Sequence, residues 1–141
     1  MSLGGENMKG RLKIDELTFS AAHYLKGHPQ CQALHGHTYF VRDIEILYEL
    51  PGSEFLDFTT IEAVINYFDH KLLVPLEDNS YWLSLAAPCK LDCVAMPNTT
   101  SESLVEDIIN RIWSIPGVKF VSLSVFEGPN QGAKYSTGGE T

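Results

Sequence analysis

The chain has 141 residues, 44% of them apolar and 20% charged, which fits one globular domain and leaves no room for a second. Ten Lys and Arg against 18 Asp and Glu give a net charge of −8 with no basic cluster, so nucleic acid and anionic membrane surfaces are poor partners. Three cysteines, an odd count, and the lack of a charged-then-apolar leader point to a reducing cytoplasmic setting without disulfides, and no apolar run approaches the roughly 18 to 20 residues of a membrane span.

The opening MSLGGENMKG has two Met residues, a Gly pair and no periodicity. Residues 1–7 read as a tag or unstructured start before a natural Met8, and 8–141 as a single domain. From Arg11 to His23 the pattern alternates loosely, with Leu12 and Ile14 on one side and Phe19 and Ala21 resuming after a break, as in a bent first strand. After a loop with Gly27, His28 and Pro29, residues 38–50 predict a long second strand. Strict alternation puts Phe40, Ile44, Ile46 and Tyr48 on one face and Tyr39, Val41 and Leu47 on the other.

A first helix follows Asp57-Phe58, with Ile61, Val64, Ile65 and Phe68 on one stripe and Thr59 and Glu62 as a capping box. Asp69 and His70 fall at its C-terminal end. Residues 74–98 hold three prolines and no clean period, and read as a structured loop or short hairpin. A second capping box, Thr99 and Glu102, opens a helix whose stripe is Leu104, Val105, Ile108, Ile109, Ile112 and Trp113, stopped by Pro116-Gly117. A last strand, 119–127, sets Val121, Leu123 and Val125 opposite Phe120, Ser122, Ser124 and Phe126. The order predicts an α+β domain, an antiparallel sheet covered on one face by two helices.

His35 and His37 start the second strand, where i and i+2 share a face about 7 Å apart. His23 ends the preceding strand, which a hairpin-like return brings alongside. Three neutral imidazoles suit Zn²⁺ with an open fourth position. Cys31, four residues before His35, is either a fourth ligand closing a structural Cys-His₃ site or a thiol beside an open metal, its pKa lowered to act as base or nucleophile. A buried inert thiol is the plain alternative. Cys89 and Cys93 read as core or loop thiols. Asp69-His70 offers a carboxylate to orient an imidazole. Glu127, at a strand end, is placed to accept two parallel N–H bonds from a guanidine-like edge such as that of a pterin or guanine ring, or simply to face solvent. Thr100 and Ser101 are caps or ligand contacts.

Together FSAAH (19–23), CQALHGHTY (31–39), LDF (56–58), DHKLL (69–73), TTSESL (99–104) and FEG (126–128) resemble the 6-pyruvoyl-tetrahydropterin synthase family, which includes the 6-carboxy-tetrahydropterin synthases of queuosine biosynthesis. The resemblance implies a unit of four antiparallel strands and two helices, of the tunnelling-fold type, assembling as trimers stacked into a homohexamer with active sites between subunits. It implies His23, His35 and His37 as zinc ligands, Cys31 as catalytic base, Asp69 and His70 as the rest of the proton-transfer set, and Glu127 as pterin anchor with Thr100 and Ser101 near it.

The implied reaction converts 7,8-dihydroneopterin triphosphate to 6-carboxy-5,6,7,8-tetrahydropterin, acetaldehyde and triphosphate. The short C-x-x-x-H-G-H gap favours this over pyruvoyl formation or an aldolase-like cleavage. A non-enzymatic zinc module is the reading from another class. The stretch around Trp82 to Ala95 is longer than compact bacterial members lead one to expect. An acidic chain must also gather cations for a triphosphate from residues such as Lys26, Arg42, Lys71 or Lys134.

Overall fold

The computed structural model describes residues 6–26, 33–85 and 88–137. Strands β1 (Asn7–His23) and β2 (His35–Pro51), 17 residues each, pair antiparallel along their whole length. They are followed by α1 (Phe58–Asn66), β3 (Lys71–Pro75), a 3-10 turn (Leu76–Asp78), α2 (Asn79–Ser84), β4 (Cys93–Met96), α3 (Ser101–Trp113), β5 (Val118–Phe126) and β6 (Gly132–Ser136). All six strands form one sheet in the order β4-β3-β1-β2-β5-β6.

The expected α+β architecture holds, but the sheet has six strands rather than four and is not purely antiparallel. Strand β3 runs parallel to both β1 and β4. That accounts for the missing period in 74–98: Leu72, Leu73, Val74 and Pro75 are all buried, as befits a parallel strand covered on both faces. Strand β6 is short and mostly exposed, so it has too little apolar pattern to be seen.

Strict alternation misassigned β2. Burial follows Leu12 and Ile14, then shifts parity to Leu17, Phe19, Ala21 and His23. On β2 it follows Ile46 and Ile44, then Val41, Tyr39, His37 and His35. Pairing skips Asp15 and Asp43, and Asp43 takes φ 53°, in the left-handed region. The irregularity flips both strands together, so Tyr39 and Val41 share the inner face with Ile44 and Ile46.

On that face Phe19, Tyr39, Ile44, Ile46, Val121, Leu123 and Val125 meet Ile61 and Ile65 of α1 and Leu104, Val105, Ile108 and Ile112 of α3. Trp113, expected on the α3 stripe, is largely exposed at the helix end. Arg42, on the other face, pairs with Glu16 and lies 4.9 Å from each of the Phe40 and Phe126 ring centres.

Both expected capping boxes are displaced. Helix α1 is capped by Asp57, whose carboxylate accepts from Thr59 N–H at 3.0 Å. Helix α3 is capped by Thr100, whose hydroxyl accepts from Ser103 N–H at 3.2 Å. In each case the chain enters the helix one or two residues away from the sequence box, and a capping side chain reaches the N–H two or three residues on. Asp57→Ala should therefore lower stability by about 1 kcal/mol, and Thr59→Ala by only a few tenths, in urea denaturation. The reverse order would return the cap to Thr59.

Candidate metal centre

The β1–β2 register builds the centre. His23 pairs with His35 and Ala21 with His37, so three rings gather on the inner face at the end of the hairpin ladder. Ring centres lie 4.6 Å apart for His23 and His35, 5.0 Å for His23 and His37, and 4.7 Å for His35 and His37. One ligand atom from each can be chosen so that all three lie within 4.8 Å of one another. Among the described residues this is the one such group of His, Cys, Asp and Glu side chains.

Hydrogen bonds set the ring nitrogens. His23 Nδ1 donates to Thr99 O at 2.6 Å and His35 Nδ1 to Ala33 O at 2.6 Å, the tautomers that these carbonyl acceptors require. Both Nε2 atoms are then left as lone-pair donors, and they face each other at 3.1 Å. Two unprotonated nitrogens repel at that distance unless a proton or cation lies between them. Imidazole nitrogens bound tetrahedrally at about 2.0 to 2.1 Å from one ion sit about 3.3 Å apart. The donor set therefore fits a divalent metal ion. Burial lowers the proton affinity of His23, which is 1% exposed, and so favours the neutral ring a metal needs.

Glu127 follows β5 and lies beside this group. Its Oε2 is 3.9 Å from His37 Nε2, and its Oε1 accepts from Ser101 Oγ at 3.0 Å. One oxygen thus stays open, and the other has a second lone pair to offer. Ser101 joins the site; Thr100 does not, because its hydroxyl is engaged as the α3 cap.

Asp69 and His70 form a second constellation, in the turn between α1 and β3. Asp69 Oδ1 accepts from Ser20 N–H at 2.8 Å, and Oδ2 takes the His70 Nδ1 proton at 2.8 Å. The Ser20 bond first, then the His70 ring, hold the Asp69 carboxyl below its usual range. His70 has φ 59°, a strained region for a branched-ring side chain, and its own N–H is tied to Ser20 O at 2.6 Å. The backbone thereby props the ring outward, 84% exposed, with Nε2 free. His70 does not touch the three histidines, but it lines one open cleft together with His37.

Cys31 lies outside the described residues. Cys89 is exposed, and Cys93 sits in β4 with its thiol pKa raised, mainly by burial; neither belongs to the metal group.

Three contributors escape the sequence reading. Thr99, read as a cap, is buried and supplies the carbonyl that orients His23, while its hydroxyl donates to Tyr24 O at 2.6 Å. No local pattern announces that. Ala33 does the same for His35. Tyr39 continues the alternation of His35 and His37; its buried hydroxyl has no partner, and burial raises its pKa, with Glu127 adding to the shift. The H-x-H-x-Y spacing is the signal that could have found it.

A family described as 6-pyruvoyl tetrahydropterin synthase matches residues 14–138. A putative 6-carboxy-5,6,7,8-tetrahydropterin synthase of Methanocaldococcus jannaschii is 30% identical over 84% of this chain and 89% of its own length. The 6-carboxy-5,6,7,8-tetrahydropterin synthase of Haemophilus influenzae is 28% identical over 85% of this chain and 94% of its own. Among solved structures, the 6-pyruvoyl tetrahydropterin synthase of Plasmodium vivax superposes with a TM-score of 0.63 at 23% identity, covering 92% of this chain and 98% of that one, and so shares the fold.

Purified protein should carry near one equivalent of divalent metal per chain by elemental analysis, and His35→Ala near none, since three ligands are the minimum for tight binding by neutral imidazoles. Full metal content in that variant would remove His35 from the ligand set.

Proposed function

The chain belongs to the 6-pyruvoyl tetrahydropterin synthase family, and from that membership we propose that it is a zinc-dependent lyase that converts 7,8-dihydroneopterin triphosphate to 6-carboxy-5,6,7,8-tetrahydropterin. Acetaldehyde and triphosphate leave, with one water consumed. The observation that carries the reading is the pair of facing Nε2 lone pairs, 3.1 Å apart, with a half-open carboxylate beside them. The names of the Methanocaldococcus and Haemophilus relatives support the carboxy branch.

His23, His35 and His37 would hold the zinc, with Thr99 and Ala33 carbonyls orienting two of the rings. Zinc in such a site acts as a Lewis acid that acidifies a bound hydroxyl and the C–H beside it. Glu127, steadied by Ser101, accepts the 2-amino and ring N–H groups of the pterin in parallel, which fixes the ring and aims its side chain past His37. Thr100 serves this arrangement indirectly, by capping the helix that carries Ser101.

Cys31 is the base that takes a proton from side-chain carbon. Asp69 holds His70 with Nδ1–H directed at its carboxylate, which leaves Nε2 to return a proton as the triphosphate departs. The functional unit is a homo-oligomer, a hexamer built as a dimer of trimers. The two sheet edges, β4 and β6, and the uncovered face carrying Phe40 and Phe126 favour association.

Mass spectrometry of the pterin product with an acetaldehyde assay tests the reaction. A 6-carboxy product with acetaldehyde is expected. A pyruvoyl side chain without acetaldehyde would move the chain to that branch, and a 6-hydroxymethyl product would favour aldolase-like cleavage. Cys31→Ala should keep its zinc and lose about 10² to 10⁴ in turnover. Loss of zinc in that variant would favour a structural Cys-His₃ module instead.

A further inference from the structure

The cleft that joins His37 to His70, about 610 Å³, has a far wall that the site described so far does not use: Lys71, Trp82 and Lys90. Most other cations of this acidic chain are committed elsewhere. Lys13 pairs with Glu45, Lys26 with Glu77 and Asp78, Arg42 with Glu16, and Arg111 with Asp107. Lys9, Arg11 and Lys119 line a separate cleft with Glu49, and Lys134 lies among Asp15, Asp43 and Glu45. Of the four cations considered from sequence for a triphosphate, only Lys71 therefore reaches the cleft shared by His37 and His70. Its ammonium has no carboxylate within ion-pair distance among the described residues and lies 5.5 Å from the centre of the Tyr67 ring. Lys90, which the sequence reading passed over, sits 3.5 Å from Asp92 in an exposed pair that holds it only weakly.

The wall is braced. Trp82 Nε1–H donates to Tyr24 Oη at 2.8 Å, and Tyr24 Oη–H donates to Asp78 at 2.6 Å, where Lys26 also donates at 2.6 Å. The Tyr24 carbonyl accepts from Thr99, whose own carbonyl orients His23. Short helix α2 is thus tied through hydrogen bonds to a ligand of the metal centre, and its indole is a fixed boundary.

We infer that this half of the cleft receives the polyphosphate end of the substrate, with Lys71 and Lys90 as its binding cations and Trp82 as the wall that directs it to them. The inference rests on the proposed pterin substrate. A ring anchored at Glu127, 3.9 Å from His37, directs a side chain past His37, and the cleft begins at His37. Several negative charges approaching a chain of net charge −8 need a local positive field. Two ammonium groups, compact point charges, provide it.

The test uses zinc-loaded protein and calorimetric titration with two probes, inorganic triphosphate and phosphate-free 7,8-dihydroneopterin. Lys90→Gln should weaken triphosphate binding about tenfold, and Lys71→Gln with Lys90→Gln further, with a shallower salt dependence. Dihydroneopterin binding should not change, and Lys119→Gln, at the other cleft, should change neither. In turnover Lys90→Gln should raise KM with kcat nearly kept. Equal triphosphate affinity in wild type and the double variant, or an effect of Lys119→Gln instead, overturns the inference while the pterin reading stands. Lysine-dependent triphosphate binding without any dihydroneopterin binding supports the anion subsite and sinks the pterin reading.

Discussion

Pairing of β1 with β2 in the register that sets His23 against His35 is the constraint on which the core and the site both depend. Side chains alternate along a strand, so a slip of one residue would turn Phe19 and Tyr39 out of the core and disperse the imidazoles in the same stroke. The register is held at the site end by contacts from outside the hairpin. The N-terminal approach to α3 binds His23 through Thr99, and the turn after α1 binds both the N–H and the carbonyl of Ser20. The centre is therefore where three separate stretches of chain close on one strand end.

At that end the apolar core stops and unsatisfied chemistry begins. Phe19 and Tyr39 stack with ring centres 4.9 Å apart, the last apolar layer, and the Tyr39 hydroxyl beyond them is buried without a partner. Leaving such a group unpaired costs about 1 to 3 kcal/mol. The facing Nε2 atoms and the left-handed backbone of His70 are further local costs in the same part of the molecule. Elsewhere the sheet and α1 and α3 satisfy ordinary rules of packing and capping. Costs gathered at one site and sustained by a well-packed scaffold are the mark of a place built for a ligand.

The segment between β3 and β4 gives this scaffold its individual character. It adds two strands to the sheet edge in parallel pairing, and between them projects α2, whose one indole hydrogen bond reaches the strand that carries His23. Leu76, Tyr81, Leu83 and Leu85 remain largely exposed around it, so the segment is anchored by polar bonds more than by burial. Family resemblance explains the histidines and the carboxylates; it does not explain this segment, whose placement comes from its own hydrogen bonds.

Sequence alone determined the α+β class, both long strands, both main helices and the three histidines, because each is written as a local period: apolar residues every second or every three to four positions, and H-x-H on one strand face. It also marked the Asp69-His70 pair and Glu127 by their positions at element ends, though not their partners. What tertiary structure decided was whatever depends on residues far apart in the chain. The parallel pairing of β3, the parity flip at Asp43, the caps at Asp57 and Thr100, and the carbonyls of Thr99 and Ala33 leave no periodic trace. A backbone carbonyl is the same in every residue, so no choice of amino acid at position 99 can announce that it will meet a histidine 76 residues away; only the closing of α3 against the β1–β2 ladder brings the two together.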